Sequence, residues 1–160
     1  GIKYAADTPS GTASGQSEQT IAHLLLTNTA NSGTYEARLE ALQVTLSNVG
    51  ISNTANRLLK FYLDQIDSSA DYSTTIVGSA SSQFSGPAGF RDVDTTLDPS
   101  ISAGQERHLY VTLDTTDAGS TDRLTFNIAA GQITWGDGNS TDDNITTVND
   151  LPISAKTFSY

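Results

Sequence analysis

Leu109-Tyr110-Val111-Thr112-Leu113 places a large aliphatic side chain at every second position. Successive side chains of an extended chain point to opposite faces. The stretch therefore reads as a strand with Leu109, Val111 and Leu113 turned to a core and Tyr110 and Thr112 turned away. The same period recurs on both sides of it. Residues 123–129 set Leu124, Phe126 and Ile128 on one face, and residues 133–135 add a short piece ending in Trp135. Upstream, residues 57–65 set Leu59, Phe61 and Leu63 opposite Leu58, Lys60 and Tyr62. Residues 36–48 carry Leu42, Val44 and Leu46 between polar neighbours. Their first turn is helical by propensity alone. The alternation runs on into β-branched residues with no helix cap, so a strand is expected. Residues 20–27 are apolar on both faces, Ile21, His23 and Leu25 against Ala22, Leu24 and Leu26, as a central strand would be.

Between these runs lie turn-forming clusters of Asn, Ser, Gly, Asp and Thr at 28–34, 102–105 and 117–122. Residues 66–100 form a long irregular region, and residues 151–160 read as an edge or terminal strand. Short strands at this spacing predict two packed sheets of about seven to nine strands in one domain, residues 20–160. Residues 1–19, rich in Ala, Ser, Thr and Gly, read as a flexible lead-in. It is preceded by a short strand with Ile2, Tyr4 and Ala6 on one face.

Composition narrows the function classes. The 160 residues carry 18 acidic and 8 basic side chains, a formal charge of −10. That balance argues against nucleic acid, whose phosphates require a basic footprint, and against an anionic membrane surface. No apolar run reaches membrane-spanning length, so no membrane insertion is expected. Without cysteine there is neither a disulfide framework nor a thiolate metal site. Charged residues make up only 16% of the chain, so hydroxyls and amides must cover much of the surface.

The order of four segments resembles the Ig-like modules of bacterial secreted and surface-layer-type proteins. They are Leu39-Glu40-Ala41-Leu42-Gln43-Val44-Thr45-Leu46-Ser47, Leu59-Lys60-Phe61-Tyr62-Leu63-Asp64, the run from Ile101 through Ala103-Gly104 to Leu113-Asp114, and the pair Ile133-Thr134-Trp135-Gly136-Asp137-Gly138 with Leu151-Pro152-Ile153-Ser154. The resemblance covers about residues 20–160. A looser one, carried by Ile2 to Ala6 ahead of a small-residue lead-in, is to donor-strand biofilm filament subunits. These likenesses imply an Ig-like or jelly-roll β-sandwich, an extracellular or cell-surface location, and self-association into a polymer.

Several residues invite a chemical role. The tract from Trp135 to Asn144 holds Asp137, Asn139, Asp142 and Asp143, oxygen ligands of the kind calcium takes six to eight of. The EF-hand spacing fails, because Val148 stands where its bidentate Glu would be, and a solvated hairpin loop is the plain alternative. Asp92, Asp94 and Asp98 with Asp64, Asp67 and Asp71 form a second acidic group. Trp135, helped by Tyr35, Tyr62, Tyr72 and Tyr110, would stack on a sugar if exposed. Its plain alternative is a core residue. Asn139 and Asn144 head N-glycosylation sequons. His23 and His108 stand near no nucleophile-elbow serine, and no phosphate loop or metal-binding His pair occurs, so no enzyme is expected. The expectation is a non-enzymatic structural subunit of a filament, pilus-like fibre or surface layer, assembled by strand addition through Ile2, Tyr4 and Ala6. The rival is an adhesin or carbohydrate-binding module, with calcium as its organiser.

Overall fold

The computed structural model describes residues 1–30, 36–51, 57–76, 85–91, 100–136 and 152–160. Among them there is no helix. The strands, in chain order, are β1 (Ile2–Tyr4), β2 (Gly11–Thr12), β3 (Gln19–Thr27), β4 (Ala37–Val49), β5 (Arg57–Leu63), β6 (Tyr72–Ile76), β7 (Ser85–Arg91), β8 (Ser100–Ile101), β9 (Glu106–Leu113), β10 (Arg123–Ile128), β11 (Ile133–Gly136) and β12 (Ile153–Ser159). The first sheet runs β1-β3-β9-β5-β6, and the second runs β11-β4-β10-β12-β2 with β7 and β8 also on β4. All pairings are antiparallel except β12 with β2.

One apolar cluster draws on both sheets. Leu24, Leu26, Leu59, Phe61, Leu109, Val111 and Leu113 come from the first, and Leu42, Val44, Leu124, Phe126, Ile128 and Phe158 from the second. Strands such as β10, which buries Leu124, Phe126 and Ile128, turn every second side chain inward, so a modest hydrophobic fraction suffices to fill the space between the sheets.

Among the described residues there are twelve strands where about seven to nine were expected, and the surplus has physical causes. The stretch 66–100, expected to be irregular, contains β6, β7 and the first residue of β8. Its strand β7 reads Ser-Gly-Pro-Ala-Gly-Phe-Arg, a composition that hides a strand from propensity. Pro87 lies opposite Thr45, and proline is tolerated in a ladder only at an edge or bulge. β12 is not an edge strand: it lies between β10 and β2, with Phe158 opposite Gly11. In β3 a bulge between Thr20 and Ala22 breaks the strict alternation, and Ile21 is buried together with Ala22.

Residues 1–19, expected as a flexible lead-in, are instead built into both sheets. β1 pairs with Leu24–Leu26 of β3, and the amide of Ala13 donates to Ser159 at 2.9 Å. Thr115 donates its amide to Gln16 at 2.8 Å. Small side chains bury little, but their backbone groups still seek partners, and here they find them. Gly15 makes the route possible: a Cβ there would lie 2.6 Å from the Thr115 carbonyl oxygen and 2.9 Å from that of Thr116. Ile2 is fully buried. Ala6 does not share its face. It lies exposed in the turn closed by the Thr8 amide on the Ala5 carbonyl, 3.1 Å.

Candidate functional site

The inner faces of β3, β5 and β9 are fixed by their leucines, valine and phenylalanine. The intervening residues must therefore face outward: His23 and Leu25 on β3, His108, Tyr110 and Thr112 on β9, Lys60 and Tyr62 on β5. Register brings them into rows. His23 lies opposite Tyr110, which lies opposite Tyr62, and Thr20 lies opposite Thr112, which lies opposite Lys60. Residues 5–18 form a strap that leaves the β3 edge, joins the second sheet through β2 and returns to β3, and its Asp7 and Glu18 complete two polar groups.

The first group is a chain of three side chains. His23 donates Nδ1–H to Asp7 Oδ1 at 2.5 Å, since a carboxylate can only accept. His23 Nε2 stands 2.7 Å from His108 Nδ1, with one proton between them. His23 is 5% exposed, whereas the Asp7 side chain is 74% exposed. The chain thus runs from solvent inward and back along the sheet. Tyr110 stacks on His23, with ring centroids 4.1 Å apart and planes at 16°. The strap is pinned to the same residue by its backbone. Thr8 Oγ1 donates to the His23 carbonyl, and the Ala5 amide donates to that carbonyl at 2.9 Å.

The second group centres on Glu18. Its carboxylate accepts from the Tyr62 hydroxyl, from Thr112 Oγ1 at 3.2 Å and from Lys60 Nζ at 3.2 Å. Burial alone would raise the Glu18 carboxyl. The hydrogen bond from Tyr62, with Lys60 and Thr112, outweighs it and holds the group below its ordinary value. The hydrogen bond to Glu18 in turn raises Lys60. Burial, then Glu18, raises the Tyr62 phenol. Tyr62 is 1% exposed although it lies on the outer face.

A third polar set lies where the strap meets the loop after β9. Gln19 is buried and accepts from Thr115 Oγ1 at 2.8 Å and from the Tyr160 hydroxyl at 2.5 Å. Arg57, buried as well, donates to the Asp114 carbonyl at 3.0 Å and to Asp117 Oδ1 at 2.5 Å. An open recess of about 360 Å³ lies between the strap and the start of β3, lined by Pro9, Ala13, Gln16, Glu18, Thr20 and Phe158 among others.

The residues expected to act fall out differently. Ile2 and Tyr4 both sit on the edge of β3. Tyr4 lies against Phe126, centroids 6.3 Å apart, with Lys156 Nζ 4.9 Å from its ring centre. Its hydroxyl is buried with no hydrogen-bond partner among the described residues, and burial pushes the phenol far above its ordinary value. Trp135 is 6% exposed and belongs to the core cluster, so it offers no stacking face. β11 lies against the long central strand β4, and its apolar side chains face the core. Asp137, Asn139, Asp142, Asp143 and Asn144 lie outside the described residues, as do Tyr35, Asp92, Asp94 and Asp98. Asp64, Asp67 and Asp71 serve the chain locally. Asp64 pairs with Arg107 at 2.6 Å, Asp67 accepts from the Ser69 amide, and Asp71 from the Leu63 amide. The hydrogen bond from Arg107 holds the Asp64 carboxyl below its ordinary value. Among the described residues no cluster of three or more His, Asp or Glu forms a metal seat.

Sequence reasoning missed Asp7, Glu18 and the pairing of His23 with His108. The signal for the last was present: both histidines occupy outward positions of strands that the alternation identifies. Nothing in the sequence shows that β3 and β9 are neighbours. Set against protein-family models, curated proteins and solved structures, the chain matches none.

Proposed function

We propose that this chain is a non-enzymatic, extracellular structural module on a β-sandwich of Ig-like or jelly-roll type. Copies assemble by β-strand addition into a filament, pilus-like fibre or surface layer. The observation that carries the reading is the seating of β1. It is a three-residue strand on an open edge of the first sheet, joined to the body by a strap. It inserts one fully buried aliphatic side chain, Ile2, and one half-buried aromatic, Tyr4. A groove that accepts the chain's own β1 offers the same contacts to the β1 of a second copy. Head-to-tail exchange of that kind generates an open polymer.

The donor residues are thus Ile2 and Tyr4, with the β3 edge at Leu24–Leu26 as acceptor. Ala6 belongs to the hinge. The rival reading, an adhesin or carbohydrate-binding module, loses its aromatic platform because Trp135 is in the core. What favours it is the open recess beside the strap, which sets hydroxyls, amides and the Glu18 carboxylate beside Pro9, Ala13 and Phe158.

Negative-stain electron microscopy of the purified chain, with calcium and with chelator, tests the first reading. Regular fibres or sheets are expected. A chain lacking residues 1–6 stays folded and monomeric, and binds a synthetic peptide of residues 1–7. Fibres unchanged by that deletion exclude strand addition. Dispersed monomers that bind glycans favour the rival.

A further inference from the structure

We infer that Asp7, His23 and His108 form a proton-controlled latch that holds β1 on its own edge and releases it in acid. The latch acts at the hinge that strand exchange must open. Residues 5–8 follow β1 directly, and their bonds to the body converge on His23. They are the Ala5 amide and Thr8 hydroxyl on its carbonyl, the His23 amide on Thr8 Oγ1 at 3.3 Å, and the Asp7 carboxylate on its ring. The ring is held in turn by His108 from β9. Pulling β1 away means breaking this set.

The state of the latch follows from counting protons. With both imidazoles neutral, His23 Nδ1–H points to Asp7, and His108 Nδ1–H fills the gap to His23 Nε2. One added proton on the pair leaves that arrangement whole, with one positive charge beside Asp7. A second added proton puts N–H on both facing nitrogens, 2.7 Å apart, where no acceptor remains. The closed latch therefore holds one proton fewer than two free imidazoles. By linkage the opening constant rises up to about tenfold for each pH unit below the range where both free rings charge.

Among the described residues, the charged and titratable groups facing the pair are few. Asp7 comes from the strap and Asp64 from the turn after β5, where it accepts from the His108 amide at 3.3 Å. Arg107 and Tyr110 flank His108 on β9, and Tyr62 lies across from Tyr110 on β5. Lys3 on β1 shares the row through Leu25. Asp7 and Asp64 bring negative charge to this region, and Arg107 and Lys3 bring positive charge.

The latch as a gate on assembly rests on the strand-addition reading, but its opening is measurable in the monomer alone. Amide hydrogen exchange is followed on dilute chain from about pH 8 to about pH 5, the range in which histidine changes charge. Rates are corrected for the intrinsic pH dependence of exchange. Protection of the Ala5 and Thr27 amides, which donate across the β1–β3 edge, falls up to about tenfold per pH unit, while core amides of β9 and β10 hold. His108→Asn, whose amide N–H reaches the same nitrogen but takes no charge, holds its protection throughout. Imidazole nitrogen shifts of the wild-type chain locate the second protonation on the same samples. Protection that is flat with pH in the wild type overturns the latch. So does protection that falls before the second proton binds, or that falls equally in His108→Asn. A latch that opens as described in a chain that forms no polymer leaves the latch standing and removes the strand-addition reading.

Discussion

On the inner face of the first sheet, Leu24, Phe61, Leu109 and Val111 meet apolar side chains from the second sheet. One residue along the same strands, on the outer face, His23 meets Asp7, and Tyr62 and Thr112 meet Glu18, both from the strap that precedes β3. The inner face is held by area removed from water, a non-directional force that tolerates substitution of similar volume. The outer face is held by hydrogen bonds with fixed partners: Asp7 on His23, Glu18 on Tyr62, Thr112 and Lys60. Such bonds are directional and, where charged groups take part, change with pH. The two faces therefore differ in what disturbs them. The inner face responds to volume and the outer face to protonation.

The largest expected effect is on the inner face. Phe61→Ala empties a fully buried site, and by denaturant unfolding the whole chain loses about 3–5 kcal/mol. Ile2→Ala removes equally buried atoms, about 2–4 kcal/mol of local contact, but on an edge strand. Its loss shows as faster amide exchange at the β1–β3 edge with little change in the global midpoint. A fall in global stability as large as that of Phe61→Ala would mean that β1 and the core open as one unit. Gly15→Ala forces the strap off the Thr115 and Thr116 carbonyls and costs about 1–3 kcal/mol by denaturant unfolding.

Glu18→Gln gives a smaller effect, about 1 kcal/mol at neutral pH, because the carboxylate is one-third exposed. Its sign with pH is fixed. The folded carboxyl lies below its unfolded value, so its contribution is complete above the ordinary glutamate range and is lost as pH falls through the lowered folded value. The variant flattens that part of the acid limb. An acid limb unchanged by Glu18→Gln would show that the Tyr62–Glu18–Lys60 group adds nothing to stability. Arg107→Ala, which breaks an exposed pair with Asp64, changes the unfolding free energy by less than about 1 kcal/mol.

Much of the inner face was legible because burial on one side of a strand leaves a period of two. Leu42, Val44 and Leu46, Leu109, Val111 and Leu113, and Leu124, Phe126 and Ile128 all show it, and all are buried. The same rule fails for β7, where Gly86, Pro87 and Gly89 carry no period at all, and for β2, which is two residues long. It also failed for the strap. Small polar residues read as a linker when only side chains are counted, yet their amides and carbonyls complete the edges of both sheets. Trp135 shows the limit from the other side. Its position at the end of an alternating run is compatible with core or surface, and the neighbours that bury it come from far along the chain.

The amino-acid sequence, through the alternation of apolar residues and its charge of −10, determines that this is an all-β chain with an apolar inner face and an acidic, hydroxyl-rich surface. These properties are local, set by each residue and its near neighbours. The tertiary structure decided that His23 meets His108 across 85 residues of chain, that Asp7 and Glu18 close the outer face, and that β1 lies on the β3 edge. Strand order and register are non-local: they are chosen by the sum of many contacts over the whole core, and no short stretch of sequence carries them.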